Sequence, residues 1–172
     1  VLSMGNTKPH KDLPTLLRAF AALPDTALTL VLAGTDPGGY AASVLGSDPA
    51  VARVRFTGRV SDETLRALYA SAELLAFPSL YEGFGLPPLE AMAFGTPVVV
   101  AEAASVPEVV GDAALMVDTG DAGAFAAAMR SVLEDAAVSE RLRVRGLARA
   151  AEFTWRRTAE RTLNVYRTAA LA

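Results

Sequence analysis

Six short runs of apolar or β-branched residues recur along the chain, at residues 1–4, 28–33, 54–57, 74–77, 98–101 and 114–117. Most are nearly continuous rather than alternating. A strand with one wet face alternates polar and apolar residues, so a continuous run demands cover on both faces, as in a parallel sheet. Parallel strands need long crossovers, and helix-like stretches fill the gaps. Residues 13–23 carry leucines and Phe20 at helical spacing, with Asp12 placed to cap them. Residues 62–72 follow the start signal "SDE", and 86–94 and 106–110 are shorter. Residues 122–134 and 139–152 are long and amphipathic, and 155–170 form a final helix. The alternation predicts an α/β fold, a doubly wound sheet of about six parallel strands flanked by helices. Gly38-Gly39 reads as a loop rather than a boundary, so residues 1–172 form one domain.

The bulk properties narrow the function. With 52% hydrophobic and 20% charged residues the chain is globular. Its formal net charge of -3 argues against a nucleic-acid groove, which needs clustered positive charge. There is no cysteine, hence no disulfide or thiolate chemistry, which fits the cytoplasm. No apolar run approaches the roughly 20 residues of a membrane span. The opening "VLSMGN" reads as a strand cut from something longer. Fourteen of the sixteen basic residues are arginine, which with the abundant alanine reflects a GC-rich genome rather than a function.

In a doubly wound sheet, ligands bind where the carboxyl ends of the strands lead into helices. The loops there are "GNTKPHKD", "GTDPGGY", "GRVSDE", "PSLYEGFGLPP" and "EAASVPE". Glycine opens the first three, at Gly5, Gly34 and Gly58, where it lets a ligand approach the backbone. In "YEGFGLPPLE", residues 81–90, two acids eight residues apart flank a glycine turn. Pro87 and Pro88 fit the first turn of a helix that starts near Leu86, with Gly85 at its cap. The helix start offers free N–H groups and a positive dipole end, suited to phosphate. Glu90, one turn in, is placed to accept bonds from ribose hydroxyls, and Glu82, before the turn, from a sugar.

Lys11 ends the first loop and supplies a cation for the same anion, while Lys8 reads as solvated. His10 is the only histidine. One histidine without cysteine builds no ordinary zinc site, and no Ser-His-Asp set stands out. No Asp-x-Asp pair occurs. The expectation is therefore a site without a metal or other cofactor, in which the helix dipole and a lysine neutralise a diphosphate.

Residues 56–118, "FTGRVSDETLRALYASAELLAFPSLYEGFGLPPLEAMAFGTPVVVAEAASVPEVVGDAALMVD", resemble the donor half of the group 1 (family 4) retaining glycosyltransferases. These have the GT-B architecture of two Rossmann-like domains. Glu82 and Glu90 match the family's Glu-x7-Glu signature, and "GNTKPHKDLPTLLRAF", residues 5–20, is similar to its phosphate-binding loop. The resemblance implies transfer of a sugar from a GDP- or UDP-linked donor with retention of anomeric configuration. It assigns Lys11 to the donor diphosphate and Glu82 to the donor sugar, as the two residues closest to the chemistry. Glu90 falls to the ribose. Gly83, Phe84, Gly85 and Leu86 line sugar and phosphate, and Gly5 opens the phosphate loop. Arg59, Val60 and Gly34 line the nucleobase pocket. Where many members carry arginine after the first glycine, this chain has Asn6, which alters the number of phosphate contacts. "KPHKDL" is similar to mannosyltransferase-like members, which favour GDP donors.

The resemblance also implies a separate N-terminal acceptor domain, absent from residues 1–172. The acceptor glycan or glycolipid, and any peripheral membrane association, would come through that half. The setting implied is bacterial polysaccharide or glycolipid assembly. Trp155, Ala159, Leu163 and Tyr166 make an apolar stripe expected to pack on the chain's own sheet; the resemblance adds that this helix reaches the other domain. Two rival readings share the architecture: a binding-only nucleotide-sugar module and a sugar-nucleotide epimerase, although acid–base groups for epimerisation are not evident. A phosphorylase would need a cofactor lysine, which is not seen. A signalling receiver domain is excluded, because its acidic positions are held by Gly5-Asn6 and Gly58-Arg59.

Overall fold

The computed structural model describes residues 1–170. Six strands form one sheet: β1 (Leu2–Met4), β2 (Leu30–Ala33), β3 (Val54–Phe56), β4 (Leu75–Phe77), β5 (Val98–Ala101) and β6 (Leu115–Val117). All pair in parallel, in the order β3-β2-β1-β4-β5-β6. The helices are α1 (Leu13–Ala21), α2 (Tyr40–Leu45), α3 (Asp62–Ser71), α4 (Leu86–Ala93), α5 (Val106–Val110), α6 (Ala122–Glu134), α7 (Ala136–Ala151) and α8 (Trp155–Ala170). Short 3-10 turns occur at Pro9–Lys11 and Pro49–Arg53.

The continuous apolar runs are explained by two cores. On one face Leu32, Ala76, Val99 and Ala101 meet Leu16, Phe20, Phe125 and Met129 from α1 and α6. On the other, Leu75, Phe77, Val98 and Val100 meet Tyr69, Met92, Val106 and Val110 from α3, α4 and α5. Neighbouring residues of one strand thus bury themselves on opposite sides, so both parities must be apolar.

Two local readings change, and a third holds but leads into a helix the sequence did not signal. Asp12 occupies the cap position of α1, but with φ 43° and no capping side-chain bond. Pro14 removes one of the two amides a capping carboxylate takes, and Thr15 N–H bonds the Asp12 main-chain oxygen instead. α7 begins three residues before the expected 139, because the Asp135 side chain caps it through Ala137 and Val138 N–H. Gly38-Gly39 is a loop, yet it leads directly into α2: the Asp36 carboxylate accepts from Gly38, Gly39 and Tyr40 N–H. Those backbone bonds, Tyr40 foremost, hold the Asp36 carboxyl below its ordinary pKa.

The stripe on α8 does not pack on the sheet. No α8 residue is buried, and Trp155 and Tyr166 are 86% and 68% exposed. Both sheet faces are already covered by α1–α6, so the sheet offers no open surface. α3 and α4 are joined more firmly. The buried Thr96 hydroxyl, just after α4, donates to the Tyr69 carbonyl at 2.6 Å. Thr96→Val keeps the shape and removes this bond, leaving the carbonyl only the Ala72 N–H at 3.3 Å, so urea unfolding is expected to show a loss of about 1 kcal/mol.

Candidate functional site

The sheet order puts a crevice between β1 and β4. From β1 the chain winds one way through β2 and β3, and from β4 the other way through β5 and β6. The two central strands share a single register pair, Leu2 with Leu75. Beyond it their loops diverge and open the crevice that doubly wound sheets use for ligands. The loops are then rejoined, as Leu80 N–H donates to the His10 carbonyl at 2.8 Å. His10 thus serves the site through its main chain.

Lys11 and Glu82 meet across this crevice. Lys11 ends the 3-10 turn after β1, and Glu82 lies in the loop after β4. Lys11 Nζ donates to Glu82 Oε1 at 2.6 Å, and each side chain is only 17% exposed. Nζ also lies 5.6 Å from the Phe77 ring centroid. From the sequence, each residue takes a separate ligand contact; in the structure each is also the other's partner. The Glu82 main-chain oxygen accepts from Ser105 Oγ at 2.9 Å, which ties the loop to the start of α5. Ser105 carries no sequence signal for this role, because its partner lies 23 residues away.

Beside the pair, α4 starts at Leu86 with Gly85 at its cap, as expected. Gly85 has φ 102°, a conformation closed to most L-residues. This helix start offers fewer free amides than a generic one, since Pro87 and Pro88 have no N–H. Only Gly85 and Leu86 offer amides there, and neither has a protein acceptor among the described residues. Gly83 and Phe84 are exposed in the preceding turn, and the Phe84 ring packs edge-on against Phe153 at 5.9 Å.

The other loops form a continuous rim. Gly5 N–H donates to the Ala33 carbonyl, and Gly58 N–H to the Gly34 carbonyl. Gly34 has a packing reason of its own to be glycine. A Cβ at Gly34 would lie 1.9 Å from the Gly5 carbonyl oxygen, so the close approach it permits is loop to loop. Asn6 Oδ1 accepts from Lys8 N–H at 3.1 Å and braces the first loop. Arg59 is exposed and Val60 half-buried after the edge strand β3, in no hydrogen bond to Lys11 or Glu82.

Glu90 lies apart from the ion pair, on the α3 side of α4. Its Oε2 accepts from the Tyr69 hydroxyl at 2.9 Å. Together with Asp62, Leu65, Arg66 and Phe94 they line a groove of about 260 Å³. Burial, then the Glu90 charge and hydrogen bond, push the Tyr69 phenol far above its ordinary pKa, so it stays a donor. The sequence reading missed Tyr69, which sits among apolar residues of α3 and reads as core.

Among the described residues no helix is long and apolar enough to cross a membrane. No group of three or more His, Asp or Glu side chains is gathered there as a metal site.

The class of this Rossmann-like sheet follows from its similarity to known proteins. Residues 1–149 match the sequence profile of the family described as "Glycosyl transferases group 1". The chain is 40% identical to O-antigen chain mannosyltransferase B of Escherichia coli, over 96% of this chain and 45% of that protein. Sucrose-phosphate synthase from Thermosynechococcus elongatus superposes with a TM-score of 0.84 at 30% identity, over 99% of this chain and 45% of that one. The Anabaena protein HepE in complex with UDP-glucose superposes with a TM-score of 0.74 at 26% identity, over 88% and 43%. The chain belongs to the group 1 glycosyl transferases, with the Rossmann-like fold of GT-B enzymes. It spans less than half the length of each of these proteins.

Proposed function

We propose that residues 1–172 are the donor-binding half of a retaining glycosyltransferase that moves a sugar from a nucleotide diphosphate sugar to a glycan or glycolipid. The observation that carries this reading is the Lys11–Glu82 pair at the switch point, beside the free amides of Gly85 and Leu86. Relatives named as mannosyltransferases support mannose as the sugar, and the resemblance carried by "KPHKDL" favours a GDP donor; the complex of HepE with UDP-glucose supports the same donor chemistry with uridine.

In this mechanism the diphosphate enters the crevice and takes Lys11 Nζ, with the Gly85 and Leu86 amides on its other oxygens. Lys11 and the α4 dipole then hold the charge that develops as the sugar–phosphate bond breaks. Glu82, released from the lysine, accepts from sugar hydroxyls and fixes the sugar's orientation. Glu90 accepts from the ribose, while the segment at Arg59 and Val60 borders the base. The Asp-x-Asp clamp is missing from the sequence, so we assign the leaving-group charge to Lys11 and the amides rather than to a metal. The acceptor site belongs to a second domain outside residues 1–172, and the bare stripe on α8 is a surface that domain would cover. This chain is therefore expected to bind donor without useful turnover.

The test is calorimetry with GDP, UDP, ADP and their sugar conjugates, with chelator present. One nucleotide is expected to bind, and Glu90→Ala to weaken it about tenfold through the lost charged hydrogen bonds. No binding at millimolar nucleotide, or binding indifferent to Glu90→Ala, would overturn the reading.

A further inference from the structure

We infer that Tyr69 is a positioning residue of the donor site: its hydroxyl holds Glu90 in the rotamer that receives the nucleotide's ribose. The inference rests on the donor-site reading above.

A glutamate on an open helix face samples many rotamers, and fixing one opposes binding. Glu90 is on an exposed turn of α4, yet its Oε2 is held by Tyr69 at 2.9 Å. The other oxygen has no side-chain partner among the described residues, so it is left for a ligand hydroxyl. Tyr69 is itself immobile. It is 1% exposed, its ring stacks on Phe94 with centroids 5.9 Å apart and planes 15° from parallel, and its carbonyl receives the Thr96 hydroxyl. The phenol is thus a fixed donor on α3, aimed at a carboxylate on the neighbouring helix. A tyrosine needed only to fill the core gains nothing from a hydroxyl, because phenylalanine fills the same volume. Here the hydroxyl reaches out of the core to the groove that Asp62, Arg66 and Glu90 line.

A carboxylate held this way discriminates by hydroxyl, not by base. Its loss therefore falls on ribonucleotides and spares those without ribose hydroxyls. The variant is Tyr69→Phe, which keeps ring, stacking and the Thr96 bond. Calorimetry is run on the 172-residue chain with GDP, UDP and their 2′,3′-dideoxy counterparts, for the wild type, Y69F, E90Q and the double variant. The expected result is a loss of about fivefold for the better ribonucleotide in Y69F, less than twofold for its dideoxy counterpart, and no further loss when Y69F is added to E90Q. Equal losses for ribo and dideoxy ligands would show a packing role and overturn the inference. So would unchanged ribonucleotide binding in Y69F while E90Q still weakens it; that pattern leaves the donor-site reading intact. If neither nucleotide binds the wild type, or E90Q is indifferent to the ribose hydroxyls, the donor-site reading fails and this inference with it.

Discussion

Lys11→Ala and Glu82→Gln are expected to move nucleoside diphosphate binding in opposite directions. Lys11→Ala removes the cation that meets the diphosphate and leaves Glu82, only 17% exposed, as an unpaired negative charge beside the phosphate seat. Loss of one partner from such a pair should weaken GDP or UDP binding about a hundredfold. Glu82→Gln instead frees the lysine from its internal competitor. The pair is partly screened, so the gain for the bare diphosphate is about threefold to fivefold. The same substitution should erase the added affinity that the sugar brings, because the acceptor for its hydroxyls is weakened. Titrations of the diphosphate and of its sugar conjugate into both variants check this. Two variants that weaken the bare diphosphate alike would mean that Glu82 does not compete for Lys11, and that the 2.6 Å contact is a structural pair.

Gly34→Ala is expected to be the most damaging single methyl on the site. The added Cβ would sit 1.9 Å from the Gly5 carbonyl oxygen and 3.0 Å from its carbon. Neither is the end of a flexible side chain, so main chain must move. Overpacking against backbone should cost about 3 kcal/mol. At the slope typical of a domain this size, that lowers Tm by about 10 °C. The displaced Gly5 loop also carries Lys11, so nucleotide binding should fall even at temperatures where the variant is folded. Gly83→Ala makes the stability control, since nothing lies within 4 Å of its Cβ and its φ is not in the left-handed region. A small and equal effect of the two substitutions would show that the loops give way freely.

The sequence exposed the fold because its cause is local. Six apolar runs without alternation force a covered parallel sheet, and strands begin one or two residues late only where the runs outlast the ladder. It also exposed Glu82, Glu90 and the Leu86 helix start, since glycine and proline mark those turns. What it hid depends on residues far apart in the chain. The Lys11–Glu82 contact spans 71 positions, and the Tyr69–Glu90 bond spans 21. Ser105 and Gly34 act on loops they do not belong to. Periodicity carries no trace of such partners. The same limit explains α8: its amphipathic spacing is plain, but spacing does not say which surface the stripe meets, and here it is not the sheet.

The rim of the crevice is drawn in main chain. Gly5 to Ala33, Gly58 to Gly34 and Leu80 to His10 are all bonds between backbone atoms. The side chains at Arg59, Tyr81 and Phe84 stand exposed on that rim, outside those backbone bonds. Evolution can therefore exchange them one at a time and meet a new donor without first repairing a fold. A relative named as a mannosyltransferase and a neighbour solved with UDP-glucose share this scaffold, as such a division of labour allows.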